Sequence, residues 1–134
     1  MNYVYLIDTD WIIHYLNGQV KIVERLNTLR KDGLAISMVS LAELYEGIIY
    51  SKEPNASKDA LKSFLTGTVV LDINEGICEV FGQERGKLRK QGKLVSDFDL
   101  LIASTCLYYN LTLLTNNRKH FSMVENLKII SLLR

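Results

Sequence analysis

One proline, Pro54, and two cysteines, Cys78 and Cys106, are all the chain holds of either residue. That scarcity excludes a disulfide-stapled scaffold and a proline-rich disordered segment. Neither cysteine has a second cysteine or a histidine at metal-ligand spacing, so both read as small buried apolar residues of a reduced protein. Charge of one sign is also lacking: a net charge of +1 neither points to nucleic acid nor excludes it. No apolar run approaches the roughly 18 residues that spanning a bilayer takes, and no charged leader precedes an apolar signal core. The expectation is a cytoplasmic protein with no membrane partner. What remains is 134 residues, 48% hydrophobic and 23% charged, enough for a single packed domain over residues 1–134 with no repeat or linker.

Apolar runs alternate with helical patterns. Tyr3 to Ile7 is short, apolar and closed by Asp8, Thr9 and Asp10, the signature of a central strand buried on both faces. Further strands are expected at Leu34 to Ser37, Thr68 to Leu71, Leu111 to Leu114 and Leu127 to Ile130. Between them, helical spacing predicts helices from near Trp11 to Leu16, Val20 to Leu29, Ser40 to Ile49, Lys58 to Leu65, Asn74 to Lys90 and Ser96 to Tyr109. Ser40 with Glu43, and Ser96 with Asp99, each fit a capping box. The pattern argues for an α/β fold with a largely parallel central sheet of four to five strands flanked by helices.

In such sheets ligands bind beyond the carboxyl ends of the strands. Asp8 follows the first strand there, although either it or Asp10 also suits the cap of the next helix. Glu43 and Asp99 fall in first turns of expected helices, and Asn117 follows the fourth strand, so all four are expected at one edge. Converging carboxylates repel and raise one another's pKa unless a cation neutralises them. Oxygen donors without Cys or His suit Mg²⁺ or Mn²⁺, ions that serve phosphodiester cleavage. Two basic clusters stand ready to hold an RNA strand: Arg85, Lys87, Arg89, Lys90 and Lys93, and then Arg118, Lys119 and His120. Lysines and arginines in the last turn of a helix also complement its dipole.

Four segments in order, "LIDTDWII" from Leu6, "VSLAELYEGI" from Val39, "SDFDLLIAS" from Ser96 and "LLTNNRKHF" from Leu113, resemble the PIN-domain ribonucleases, and among them the VapC-type toxins. The resemblance implies a PIN-like fold, a Mg²⁺- or Mn²⁺-dependent endoribonuclease, an RNA substrate, a VapB-like antitoxin whose tail covers the acidic pocket, and a homodimer. It implies that Asp8 and Asp99 bind the ion and that Glu43 binds it directly or through water and positions the attacking hydroxide. Asn117 stands where many members have a fourth acid, and Thr115 would support that corner by hydrogen bonding. Asp97 is read as a helix-start residue ahead of a supporting one. Asp10 is then the helix cap, since the matching position accepts other short polar residues.

Substrate choice is expected around Arg85, Arg89, Arg118 and Lys119, with recognition of folded RNA. Tyr45, Ile49 and Tyr50 are surplus apolar residues that fit either an interface or the core. Two other readings are open. One is a PIN scaffold that binds RNA or protein without cutting. The other is a phosphatase of the haloacid dehalogenase type, with Asp8 as nucleophile of a D-x-D motif, although Ile12 departs from that pattern.

Overall fold

A computed structural model of the chain describes residues 3–132; the outermost two residues at each end of the expected domain lie outside the described residues. Five strands, β1 (Tyr5–Ile7), β2 (Leu34–Ser37), β3 (Thr68–Leu71), β4 (Thr112–Leu114) and β5 (Lys128–Ile130), form one sheet in the order β3-β2-β1-β4-β5. Every pairing is parallel, with Leu6 opposite Ala35 on one side and Leu113 on the other. β1 is therefore the central strand, and the chain runs outward from it twice.

Among the described residues, seven α-helices make the crossovers: α1 (Thr9–Leu16), α2 (Val20–Leu29), α3 (Met38–Ile49), α4 (Pro54–Leu65), α5 (Glu75–Lys90), α6 (Asp97–Tyr109) and α7 (Arg118–Phe121). Because side chains of a strand alternate between faces, the short strands feed two cores. Leu6, Ala35 and Leu113 pack with Leu88, Leu100, Ile102, Ala103 and Cys106 of α5 and α6. Ile7, Ile36 and Leu114 pack with Trp11, Ile12, Ile22, Leu26, Leu44, Leu61 and Phe64 of α1 to α4. Burial on both faces is why the strands read as continuous apolar runs.

The helix starts differ from expectation at three places. β2 passes into α3 with no loop, so Ser37, still extended at φ −79° and ψ 147°, is the cap and accepts from the Val39 amide. Ser40 lies within the first turn of the helix and Glu43 in its second, so among the described residues no capping box forms there. Likewise Asp8, the single residue between β1 and α1, is the cap and accepts from the Thr9 amide, while Asp10 sits in the first turn. α4 begins at Pro54 rather than Lys58, because proline at the first helical position gives up an amide that has no partner there anyway. Cys106 is buried as expected, whereas Cys78 is exposed on α5. No helix among the described residues is long and apolar enough to cross a membrane.

Candidate active site

The site is built around the carboxyl end of β1. Asp8 follows the strand directly and is only 6% exposed. Its Oδ1 accepts from the Thr9 amide at 2.8 Å and its Oδ2 from the Thr115 hydroxyl at 2.7 Å. Thr115 follows β4, the neighbouring strand, and its own hydroxyl accepts from the Asn117 amide at 3.0 Å. Two strand ends are thus tied together through one carboxylate.

That carboxylate is poorly compensated. Burial, followed by the charge of Asp10, pushes its pKa up to about 7, against the pull of the Thr115 and Thr9 hydrogen bonds; the charge of Asp99 adds to the rise. Burial likewise raises Asp10, whose Oδ2 accepts from the Asn116 amide at 3.1 Å. Among the described residues, Asp10 Oδ1 is buried without a hydrogen-bond partner. Sequence reasoning set Asp10 aside as a cap. The signal that would have found it is the D-x-D spacing: side chains two apart within a helix do not face each other, but Asp8, extended at the cap and off the helix, lies within reach of the Asp10 charge.

The other acids are held separately. Glu43 Oε1 accepts the Thr9 hydroxyl at 2.7 Å, and the Thr9 amide donates to Asp8, so Glu43 joins the Asp8 corner through one intervening residue. Asp99, 22% exposed at the start of α6, has its amide bonded to Ser96 Oγ at 3.2 Å, so Ser96 is the cap that the sequence indicates. The His120 ring lies 3.8 Å from Asp99 Oδ2 and 3.2 Å from Asn117 Nδ2. Sequence reading placed His120 only in a basic cluster, and the short α7 is what turns it toward Asp99. Asn116 braces the same corner from behind, its Oδ1 accepting from Trp11 Nε1 at 3.0 Å and the Leu132 amide at 2.9 Å.

The remaining candidates divide. Asp97 is the first residue of α6 and pairs with Arg85 at 2.7 Å. Arg85 is therefore turned inward, while Arg89, Arg118 and Lys119 are exposed. Arg118 and Lys119 open α7, next to Asn117; Arg89 stands near the far end of α5. A groove of about 330 Å³, lined by Ile13, Leu44, Gly47 and Ile48, runs beside Glu43. Ile49 and Tyr50 are among the most exposed large apolar side chains, whereas Tyr45 is half-buried.

Among the described residues, no three acids, histidines or cysteines stand close enough to enclose a metal ion together. The expected convergence of Asp8, Glu43 and Asp99 on one point is to that extent looser than the sequence suggested. The donor set still suits Mg²⁺ or Mn²⁺: such an ion keeps several waters and is held by one or two carboxylates plus substrate phosphate rather than by an all-protein cage. An under-compensated, buried Asp8 beside an unpartnered Asp10 oxygen is the environment that a hard cation relieves.

The PIN domain family matches residues 5–127. Ribonuclease VapC1 of Haemophilus influenzae (strain R2866) is 34% identical over 93% of the chain and 95% of its own length. The tRNA(fMet)-specific endonuclease VapC of Shigella flexneri is 31% identical over 92% and 94% respectively. Among solved structures, that of VapBC2 from Rickettsia felis bound to a DNA fragment from its promoter superposes with a TM-score of 0.91 at 30% identity, covering 97% of this chain and 99% of that one. The haloacid dehalogenase reading has no support in these likenesses. The parallel sheet, the acids at its carboxyl edge and relatives matched along almost their whole length lead to one assignment: the chain belongs to the PIN-domain family and, within it, to the VapC ribonucleases.

Proposed function

We propose that the chain is a single-domain, Mg²⁺- or Mn²⁺-dependent endoribonuclease of the cytoplasm, in which Asp8 and Asp99 hold the ion and Glu43 positions the attacking water. The observation that carries this reading is Asp8: a buried carboxylate, raised to about 7 by its surroundings, at the carboxyl end of the central strand. Bound there, a divalent cation lowers the pKa of water and screens the charge that grows on a phosphodiester during in-line displacement.

The chain's own residues do the rest. Thr115 and the Thr9 amide fix the Asp8 carboxylate so that each oxygen keeps one lone pair free. Thr9 orients Glu43 by donating its hydroxyl, which leaves Oε2 to accept a proton from water. Asn117, which lacks the charge of an acid, favours one tightly held ion over two. Arg118 and Lys119, exposed beside that corner, are placed to grip phosphates, and Arg89 lies further along the RNA path. A relative named for cutting tRNA(fMet) supports folded RNA as the substrate class.

A VapB-like antitoxin is the proposed inhibitor, supported by solved VapBC complexes of similar chains. Its tail fits the apolar groove beside Glu43, where Gly47 leaves open space. Ile49 and Tyr50 are candidate contacts of a homodimer. The deciding experiment is cleavage of labelled RNA in EDTA and in rising Mn²⁺. Cleavage only with metal, lost in Asp99→Asn at unchanged circular dichroism, supports the reading. RNA binding without cleavage at any metal concentration would instead establish the non-catalytic scaffold.

A further inference from the structure

Asp99 reaches the site on a connection, Gln91 to Ser96, whose two ends are held in different ways. The α5 end closes on itself: Gly92 takes φ +66°, the Lys93 amide bonds to the Leu88 carbonyl at 2.9 Å and the Gly92 amide to the Arg89 carbonyl at 3.1 Å. This is the Schellman pattern, which needs nothing from outside the helix. The α6 end is capped by Ser96, but a cap fixes only the first turn relative to its own helix. Val95 and Leu100, buried in one core with Leu88, hold the start of α6 against α5, and Arg85 adds the polar tie that sets its register.

Arg85 lies on α5 with its side chain 16% exposed. Its Nη1 donates to the Val95 carbonyl at 2.8 Å and its Nη2 to Asp97 Oδ1 at 2.7 Å. The guanidinium carbon stands 5.4 Å from the centre of the Phe81 ring, one turn earlier on the same helix. Both terminal nitrogens are occupied and the plane is held against an aromatic ring, so this arginine is not poised to grip a strand. Asp97 is 80% exposed, and an ion pair with so open a partner adds little to stability. Its effect is geometric. A planar fork bonded to a backbone carbonyl and to the first residue of α6 sets where that helix begins, two residues before Asp99.

We propose that Arg85, acting through Val95 and Asp97, is a positioning residue for Asp99. It fixes the start of α6 so that the Asp99 carboxylate faces Asp8. The inference rests on the reading of Asp99 as a metal-holding acid. Lysine cannot take this place, because a single ammonium does not bridge both acceptors in the plane of the fork.

The test uses the full chain with Arg85→Gln, Arg85→Lys, Asp97→Asn and Asp99→Asn. Two quantities are measured: RNA-cleavage kinetics across a salt series, and Mn²⁺ binding to the RNA-free protein by calorimetry. For Arg85→Gln we expect a loss of roughly 10–100-fold in kcat and weakened Mn²⁺ binding, at unchanged KM and salt slope. Arg85→Lys should recover only part of this. Asp97→Asn should fall in the same direction by less, since the Val95 contact persists; being a surface change, it decides the matter if the Arg85 variants fold poorly. A rise in KM with kcat and Mn²⁺ binding intact, and a salt slope reduced by about one, makes Arg85 a phosphate contact and overturns the proposal. Wild-type behaviour in Asp97→Asn and Arg85→Gln overturns it as well. If Asp99→Asn alone loses metal binding and cleavage, the positioning role falls and the function stands. If Asp99→Asn keeps both, the assignment of Asp99 itself falls.

Discussion

The Asp8 corner and the Asp99 corner do parallel work by opposite means. Asp8 is rigid because it is buried: a strand end, a helix cap and a threonine from the next strand all converge on it. Its cost is an uncompensated charge. Asp99 stands at the rim; the buried Val95 and Leu100 on either side anchor its segment against α5, and Arg85 and Asp97 tie the first turn of α6 to that helix. One acid is set by the core and carries a poorly compensated charge; the other stands at the rim, where Arg85 and Asp97 tie the start of its helix to α5. The core-set acid should therefore respond to charge and pH, the brace-set acid to geometry.

The largest effect is expected from Asp8→Asn. It should abolish metal-dependent cleavage and, above about pH 7 where Asp8 is ionised, raise the melting temperature of the metal-free protein, because it removes a buried charge without a counter-ion. A melting curve in EDTA beside the cleavage assay checks both halves. An active variant, or one that melts lower, would break the comparison.

Next comes the pH dependence of the metal-free chain. The folded protein holds the Asp8 proton up to about pH 7, whereas the unfolded chain releases it in the usual carboxylate range. Between those limits the folded state binds more protons, so stability falls as pH rises from about 4 to about 7, by on the order of 3 kcal/mol. Denaturant titrations across that range in EDTA measure it. Added Mn²⁺ should flatten the slope, because the ion replaces the proton.

A smaller loss is expected from Thr115→Val, which keeps the shape but removes the donor to Asp8. Cleavage should drop roughly tenfold, at the lower end for a group that orients a ligand, with RNA binding unchanged in a filter assay. Smallest is Gly47→Ala: with open space at that position and an ordinary helical backbone, it should stabilise the chain by up to about 1 kcal/mol in urea titrations, at normal cleavage.

The sheet was legible because its three inner strands, β2, β1 and β4, are buried and therefore continuously apolar, while the edge strands β3 and β5 are short runs rich in β-branched residues. Asp8, Thr115 and Asn117 were legible as strand-end residues for the same reason. Less legible was how tightly strand and helix adjoin. Allowing a turn after β1 and β2 shifted the caps to Asp10 and Ser40, whereas Asp8 and Ser37 cap directly out of the strand. A capping-box pattern at Ser40 and Glu43 is satisfied on paper by residues already inside the helix. Arg85 shows a different limit. A run of basic residues says nothing about which of them turns inward, and only the approach of α6 to α5 distinguishes Arg85 from the exposed Arg89 one turn on. His120 became visible only once α7 had folded it back toward Asp99.

The central claim is that Asp8 makes this edge of the sheet a divalent-metal nuclease site. Its most direct test is cleavage of labelled RNA by the wild-type chain and by Asp8→Asn across one Mn²⁺ titration begun in EDTA. The account predicts a wild-type rate that rises from zero and saturates, and no cleavage by the variant at any Mn²⁺ concentration. Wild-type cleavage that persists in EDTA, or a variant whose rate follows the wild-type curve, would contradict it.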